Sequence, residues 1–300
     1  MYHYRIYCMD IVSDIELYQP VKGDGHPDPD NTITIKEGKM PDEFKFDKEC
    51  YSYIDEKESY LSNYCCYLYI PDEKTIIYEK KEGRDHTNLG NYVLGWGMAM
   101  LFFERNTPII HCSAVYNDKG AFLLSGSSGS GKSTLTTSLL DNGLKFLADD
   151  TSMVAVKDGK AYAHPCYPFR KLCRDVVEEK ELNPDDLIYI DEDKDKFAVP
   201  WTEFFPDHPV PIKALIYMEH AKDDDPEVRV REVTGLEKVN YLYISLFIER
   251  LLKQHNRNKY TFQMCLDLAG LIPIYSVIRP QNVDSRAEIY EKVKSIIDSI

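Results

Sequence analysis

The chain has 300 residues, 43% of them hydrophobic, enough for one large or two small packed domains. Its net charge of −14 leaves no broad basic surface to neutralise phosphates, which argues against nucleic acid and anionic membrane as partners. No apolar run reaches the roughly 18 residues of a membrane-crossing helix, and Met1 to Arg5 do not begin a signal peptide.

The eight cysteines (Cys8, Cys50, Cys65, Cys66, Cys112, Cys166, Cys173, Cys265) include no C-x-x-C pair. Scattered in this way, they read as reduced thiols in a cytoplasmic protein rather than disulfides or a zinc site. Residues 1 to about 85 read as β-rich, with strands at Tyr4–Met9, Thr32–Ile35, Cys66–Ile70 and Thr75–Tyr78, the last two forming a hairpin around Pro71–Lys74. Many of the 22 tyrosines fall here at strand positions that pack a sheet. Gly23–Asp30 is an acidic loop whose spacing does not fit a calcium-binding EF-hand.

Leu89 to about Phe103 has helical spacing, weakened by Gly90, Gly95 and Gly97, and the domain join is placed just before it, giving domains 1–88 and 89–300. Ile109–Tyr116 reads as a strand, Asn117–Gly120 as a turn and Ala121–Ser125 as the returning strand. In that register Val115 faces Phe122, and His111 falls opposite Gly126. Thr134–Leu140 is a helix stopped by Asn142-Gly143, and Leu144–Ala148 is a strand ending in Asp149-Asp150. A hairpin follows over Met153–Ala163, then an apolar strand at Lys213–Glu219 and a solvated turn at Lys222–Asp225. Helices are expected at 235–254 and 258–270, a strand at Pro273–Ile278 and a terminal amphipathic helix at 284–299.

Gly126-Ser127-Ser128-Gly129-Ser130-Gly131-Lys132-Ser133 matches the phosphate-binding pattern G-x-x-x-x-G-K-[ST] at every fixed position. Glycines let successive N–H groups turn toward one phosphate, Lys132 adds a point charge, and the Ser133 hydroxyl can ligate Mg²⁺. Thr134 continues into the helix, whose N-terminal dipole favours anions. Asp149 and Asp150 would end their strand near this loop, one to help hold Mg²⁺ and the other to take a proton from an acceptor hydroxyl; the bland reading is a turn cap. His111 is either a packed strand histidine or a neighbour of the loop. Arg170 or Lys171, in Pro165–Leu172, either contacts a transferring phosphoryl group or sits in an ordinary loop. Leu215–Glu219 mimics a strand ending in a metal-binding acid, but reads better as plain core.

His111-Cys112-Ser113-Ala114-Val115, Leu124 through Leu135 and Leu147-Ala148-Asp149-Asp150 together resemble the catalytic domain of bacterial HPr kinase/phosphorylase. They resemble more closely its shorter HPr-kinase-like relatives, which include kinases of lasso-peptide precursors. The resemblance is strong over 105–175, weaker from there to 300 and absent from 1 to about 90. It implies an α/β fold: a phosphoenolpyruvate-carboxykinase-like P-loop domain with a mixed sheet, behind a small β-rich N-terminal domain. It implies ATP and Mg²⁺ on Lys132 and Ser133, Asp150 as general base, Asp149 as metal neighbour and His111 as polar neighbour. The activity implied is transfer of the γ-phosphoryl group to a hydroxyl, a serine of a protein or peptide; the alternatives are a nucleotide-binding regulator or NTPase without kinase activity, and a small-molecule kinase. A homo-oligomer is left open. The glycine-rich signature that follows the paired Asp in true HPr kinase/phosphorylases is missing; Tyr167–Leu172 stands there instead. That points away from HPr as acceptor and from phosphorylase activity.

Overall fold

The computed structural model describes residues 1–18, 21–23, 25–28, 31–44, 51–54, 58–191, 195–222, 225–252, 259–281 and 283–300. Parts of three expected features fall outside them: the Gly23–Asp30 loop, the Lys222–Asp225 turn and the helix ends near 254 and 258. The described residues are mixed α/β with several sheets. They divide into two compact units. One comprises Met1–Ile109, Phe169–Pro200 and Phe247–Tyr260, the other Ile110–Pro168, Trp201–Leu246 and Thr261–Ile300. The join expected at 88/89 falls within the first unit.

The first unit begins with strands β1 (Tyr2–Ile6), β2 (Met9–Ser13), β3 (Val21–Lys22), β4 (Thr32–Glu37), β5 (Tyr51–Ile54), β6 (Ser59–Ser62), β7 (Cys66–Asp72) and β8 (Thr75–Lys80). They form one sheet in the order β3-β1-β2-β4-β8-β7-β6-β5. Alternating residues Ile33 and Ile35, Leu68 and Ile70, and Ile76 and Tyr78 are buried, as a half-buried sheet requires. Tyr4, Tyr7 and Tyr60 are buried with them. A helical stretch follows: α1 (Leu89–Tyr92), a π-helical segment at Val93–Gly97, and α2 (Met98–Glu104). Gly97 of this stretch lies against Ile76 of β8.

One expected strand is two. Tyr4–Met9 turns at Tyr7-Cys8, both left-handed (φ 54° and 61°), to make the β1–β2 hairpin. No turn residue announces it. The Tyr7 ring is buried edge-on against Phe102, and that burial outweighs the local cost of positive φ.

Next along the chain come β9 (Ile109–Ile110), β10 (Cys112–Asn117), β11 (Gly120–Gly126), α3 (Lys132–Asp141), β12 (Lys145–Ala148), β13 (Ser152–Lys157) and β14 (Lys160–His164). The first unit then receives β15 (Phe169–Cys173), α4 (Arg174–Glu179), β16 (Ile188–Asp191) and β17 (Lys196–Pro200). The three strands form a small sheet packed on α4 through Leu172, Val177, Phe197 and Val199. Sequence reading left this stretch without strands. Last come β18 (Val210–His220), β19 (Arg229–Val233), α5 (Glu237–Ser245), α6 (Glu249–Leu252), α7 (Lys259–Leu271), β20 (Ile274–Arg279) and α8 (Arg286–Ser299).

The second unit's sheet is mixed. β10 runs antiparallel to β11 and β12, while β11, β18 and β20 are parallel neighbours. The C-terminal ends of β12, β11, β18 and β20 therefore share one end of the sheet. α3 and α8 cover one face, where Leu135, Leu139, Ile289, Val293 and Ile297 pack on Val115, Phe122, Leu124, Ile216 and Val277. Each such side chain adds roughly 1.5–3 kcal/mol on burial. Lys119, in the β10–β11 turn, donates to the Asp298 carbonyl oxygen at 2.8 Å and so caps the C-terminal end of α8.

Two further expectations are corrected here. The strand expected over Ile109–Tyr116 breaks at His111, whose N–H donates to Ser245 O at 2.7 Å instead of to a sheet partner. The helix expected over 235–254 stops at Ser245, because Leu246 is extended (φ −64°, ψ 131°) and bridges Ile110. Among the described residues no helix is long and apolar enough to cross a membrane. Seven described cysteines are free thiols; Cys50 lies outside the described residues.

Candidate active site

The glycine-rich segment sits between the C-terminus of β11 and the N-terminus of α3, the strand–loop–helix setting that the sequence implied. Gly126 pairs with Met218 across the parallel β11–β18 ladder, at φ 140°. A Cβ there would collide with the Met218 carbonyl oxygen, so only glycine lets the strand turn into the loop. Gly131 precedes α3 at φ 98°, and a Cβ on it would lie 3.1 Å from Arg279 Nη1. Ser127, Ser128 and Gly129 are exposed, as are Ser133 and Thr134 in the first turn of α3. Lys132 folds back over the loop and donates to Gly126 O (2.6 Å) and Ser127 O (2.9 Å). Ser130 is fully buried, and its Oγ has no hydrogen-bond partner among the described residues. Such an orphan costs about 1–3 kcal/mol unless something satisfies it.

The feeding hairpin has the expected register, with Val115 opposite Phe122 and Cys112 opposite Ser125. One step further lies His111, held by Ser125 Oγ donating to its carbonyl oxygen at 2.9 Å. On the other side of β10, Ala148 of β12 lies opposite Ala114, which delivers Asp149 and Asp150 to the loop's end of the sheet.

The two adjacent acids differ in setting. Asp149 is 7% exposed, and its Oδ1 accepts from Ser113 Oγ (2.8 Å) and from the Asp150 N–H (3.0 Å). Asp150 is left-handed at φ 70°, a conformation few non-glycine residues adopt. Its side chain is 27% exposed and lies 3.5 Å from His111 Nδ1. His111 Nδ1 also bonds the Asp150 carbonyl oxygen at 3.0 Å. A carbonyl only accepts, so that bond places a proton on Nδ1.

These groups share one electrostatic neighbourhood. The fully buried Cys112 thiol is pushed well above its ordinary range, first by desolvation, then by Asp149 and Asp150, with Lys132 opposing. Lys132, Asp149 and Asp150 thus all act on one sulfur, although 17 residues separate Lys132 from Asp149. The donors near the loop, Ser133 Oγ and the Asp149 carboxylate, are hard oxygens of the kind Mg²⁺ takes alongside phosphate oxygens. No cluster of three or more His, Cys, Asp or Glu suited to a metal occurs among the described residues. A site sharing its cation with a phosphate needs only one or two carboxylates.

Arg170 belongs to the first unit and not to the second, which carries the loop. It lies on β15 in the first unit and is 1% exposed, a buried strand residue and not a surface charge on a loop. Glu219, one residue past Met218, accepts from Tyr241 Oη (2.9 Å) and Ser276 Oγ (2.7 Å). Tyr241 also receives Arg231 at 3.1 Å, and the network ties β18, β19, β20 and α5 together. These bonds hold the Glu219 carboxylate within the second unit's sheet.

Sequence reasoning missed Arg279. It ends β20, level with His220 of β18, and so stands at the loop's end of the sheet. Its only sequence signal is its place as the last residue of an apolar strand, just before Pro280. The parallel pairing that brings it to Gly131 joins segments far apart in the chain.

No family model matches the chain, and no curated protein matches it. Among solved structures, the Hpr(Ser) kinase/phosphatase from Coxiella burnetii is similar over 64% of this chain and 91% of that one, at 16% identity and a TM-score of 0.32. At that TM-score the likeness is too loose to decide either fold or function.

Proposed function

We propose that the chain is an ATP- and Mg²⁺-dependent kinase that transfers the γ-phosphoryl group to a hydroxyl, a serine of a protein or peptide. The observation that carries this reading is the meeting of two features at one sheet end: the Gly126–Ser133 loop and the Asp149–Asp150 pair, one of whose carboxylates faces a histidine. The resemblance of the same three segments to HPr-kinase-like proteins supports it. The fold is then read as phosphoenolpyruvate-carboxykinase-like, with the second unit as its P-loop domain.

In this reading the loop N–H groups and the N-terminus of α3 hold the phosphates. Lys132 exchanges its two loop carbonyls for phosphate oxygens. Ser133 and Asp149 would hold Mg²⁺, which when bound supplies charge neutralisation on the phosphate oxygens. Asp149 is fixed for that task by Ser113 and by the backbone of Asp150. Asp150 takes the acceptor hydroxyl proton, a role that typically contributes 10²–10⁴-fold. His111 holds the Asp150 backbone through its Nδ1 proton.

The test is purified protein with γ-labelled ATP and lysate of its host, followed by identification of the labelled species. Label on a serine of a protein or peptide is expected. Label that stays on ATP or leaves only as inorganic phosphate would make the chain a nucleotide-binding regulator or NTPase instead.

A further inference from the structure

Beside the loop, on the side away from Asp149 and Asp150, lies a cavity of about 180 Å³. Gly131 and Thr134 form its loop edge, Leu135 and Ile289 supply apolar surface, and Arg279 and Arg286 bring positive charge. All belong to the second unit. Resting on the kinase reading above, we propose that this cavity receives the nucleoside end of the nucleotide whose phosphates lie on the loop, with Arg279 bridging the two parts.

Four observations converge on that assignment. The cavity is smaller than the roughly 300 Å³ of sites that enclose a drug-sized ligand, so it fits one ring system and not a whole nucleotide. It opens at Gly131 and Thr134, where a chain of phosphates on the loop would end. Arg279 reaches so near the loop that a Cβ at Gly131 would lie 3.1 Å from its Nη1. Its Nε is buried with no hydrogen-bond partner among the described residues, a donor that the phosphate nearest the ribose would satisfy.

The cavity also holds an acceptor. Arg286 grips Asp284 in a fork, Nε to Oδ1 at 2.9 Å and Nη2 to Oδ2 at 2.7 Å. These bonds hold the Asp284 carboxyl down at about 2, with the charges of Arg286 and Arg279 adding to the effect. It is therefore a fixed anion at every physiological pH, able to accept from ribose hydroxyls or an exocyclic amine. Two arginines and one aspartate leave one net positive charge to add to that of Lys132.

The experiment compares two probes by calorimetry: Mg·ATP, and Mg·tripolyphosphate, which carries phosphates and no nucleoside. Wild type is expected to bind ATP about tenfold to a hundredfold more tightly, the gain of burying one ring system. Ser138→Tyr, which fills the cavity from α3, should remove that difference and leave tripolyphosphate affinity unchanged. Arg279→Gln, a second variant that needs no added volume, removes the donor to a phosphate that both probes carry and should weaken both. Equal affinity of wild type for the two probes, an equal effect of Ser138→Tyr on both, or no effect of Arg279→Gln on either, overturns the assignment while the loop reading stands. Wild type that binds neither probe removes the loop reading itself, and this assignment with it.

Discussion

The two flanks of the glycine loop differ in kind. On the side of β10 and β12 stand Asp149, Asp150 and His111, joined by hydrogen bonds of 2.8 to 3.0 Å to one another and to Ser113. On the side of β18 and β20 stands Arg279, its Nε buried without a hydrogen-bond partner among the described residues. The acidic flank is satisfied from within, so its geometry is fixed before anything arrives. The basic flank is not, and its free donor calls for an acceptor. A loop placed between a preset acid and an unsatisfied cation has direction: the acid side suits a hydroxyl that must lose a proton, the cation side suits negative charge.

The largest expected effect separates the flanks. Asp150→Asn should lower phosphoryl transfer about 10²–10⁴-fold while Mg·ATP affinity changes less than about threefold. Single-turnover transfer and calorimetry check it, and a matching loss of ATP affinity would erase the distinction. Gly126→Ala should act on both flanks together. The new methyl meets the Met218 carbonyl oxygen at a positive φ, and a destabilisation of about 3 kcal/mol or more is expected in a denaturant melt.

Ser113→Ala sharpens the acidic flank alone. It removes a buried donor to Asp149 and should cost about 1–3 kcal/mol of stability, with tripolyphosphate affinity without Mg²⁺ unchanged. The smallest effect is chemical. Burial and the two aspartates raise the Cys112 thiol above its unfolded value, so the native thiol stays protonated as the unfolded one ionises. Its stabilisation is complete below the unfolded thiol pKa, near 8.5, and declines as pH rises above it. Alkylation mapped by mass spectrometry at about pH 9 should spare Cys112 in the native protein and modify it after denaturation.

The acidic flank was legible in the sequence and the basic flank was not. The β10–β11 hairpin, the loop, α3 and β12 follow one another within 40 residues, Cys112 to Asp149, and alternation and turn residues specify each. From that register alone His111 and the paired aspartates could be placed. Arg279 reaches Gly131 only through β11–β18 and β18–β20, parallel pairings whose partners no local pattern names. The same limit hid the break at Leu246, set by its bridge to Ile110, and the Tyr7-Cys8 turn, set by burial against Phe102. Arg170 was noticed for its charge, and the β15–β17 ladder buries it in the other unit.

The left-handed backbone at Asp150 also dictates how the site should be probed. Asparagine tolerates that conformation about as well as aspartate, whereas alanine does not. An alanine variant would therefore change the charge and the chain path at once, and the displaced N–H would let go of Asp149. The asparagine variant changes the charge and keeps the turn, so any activity it loses is chemical rather than architectural.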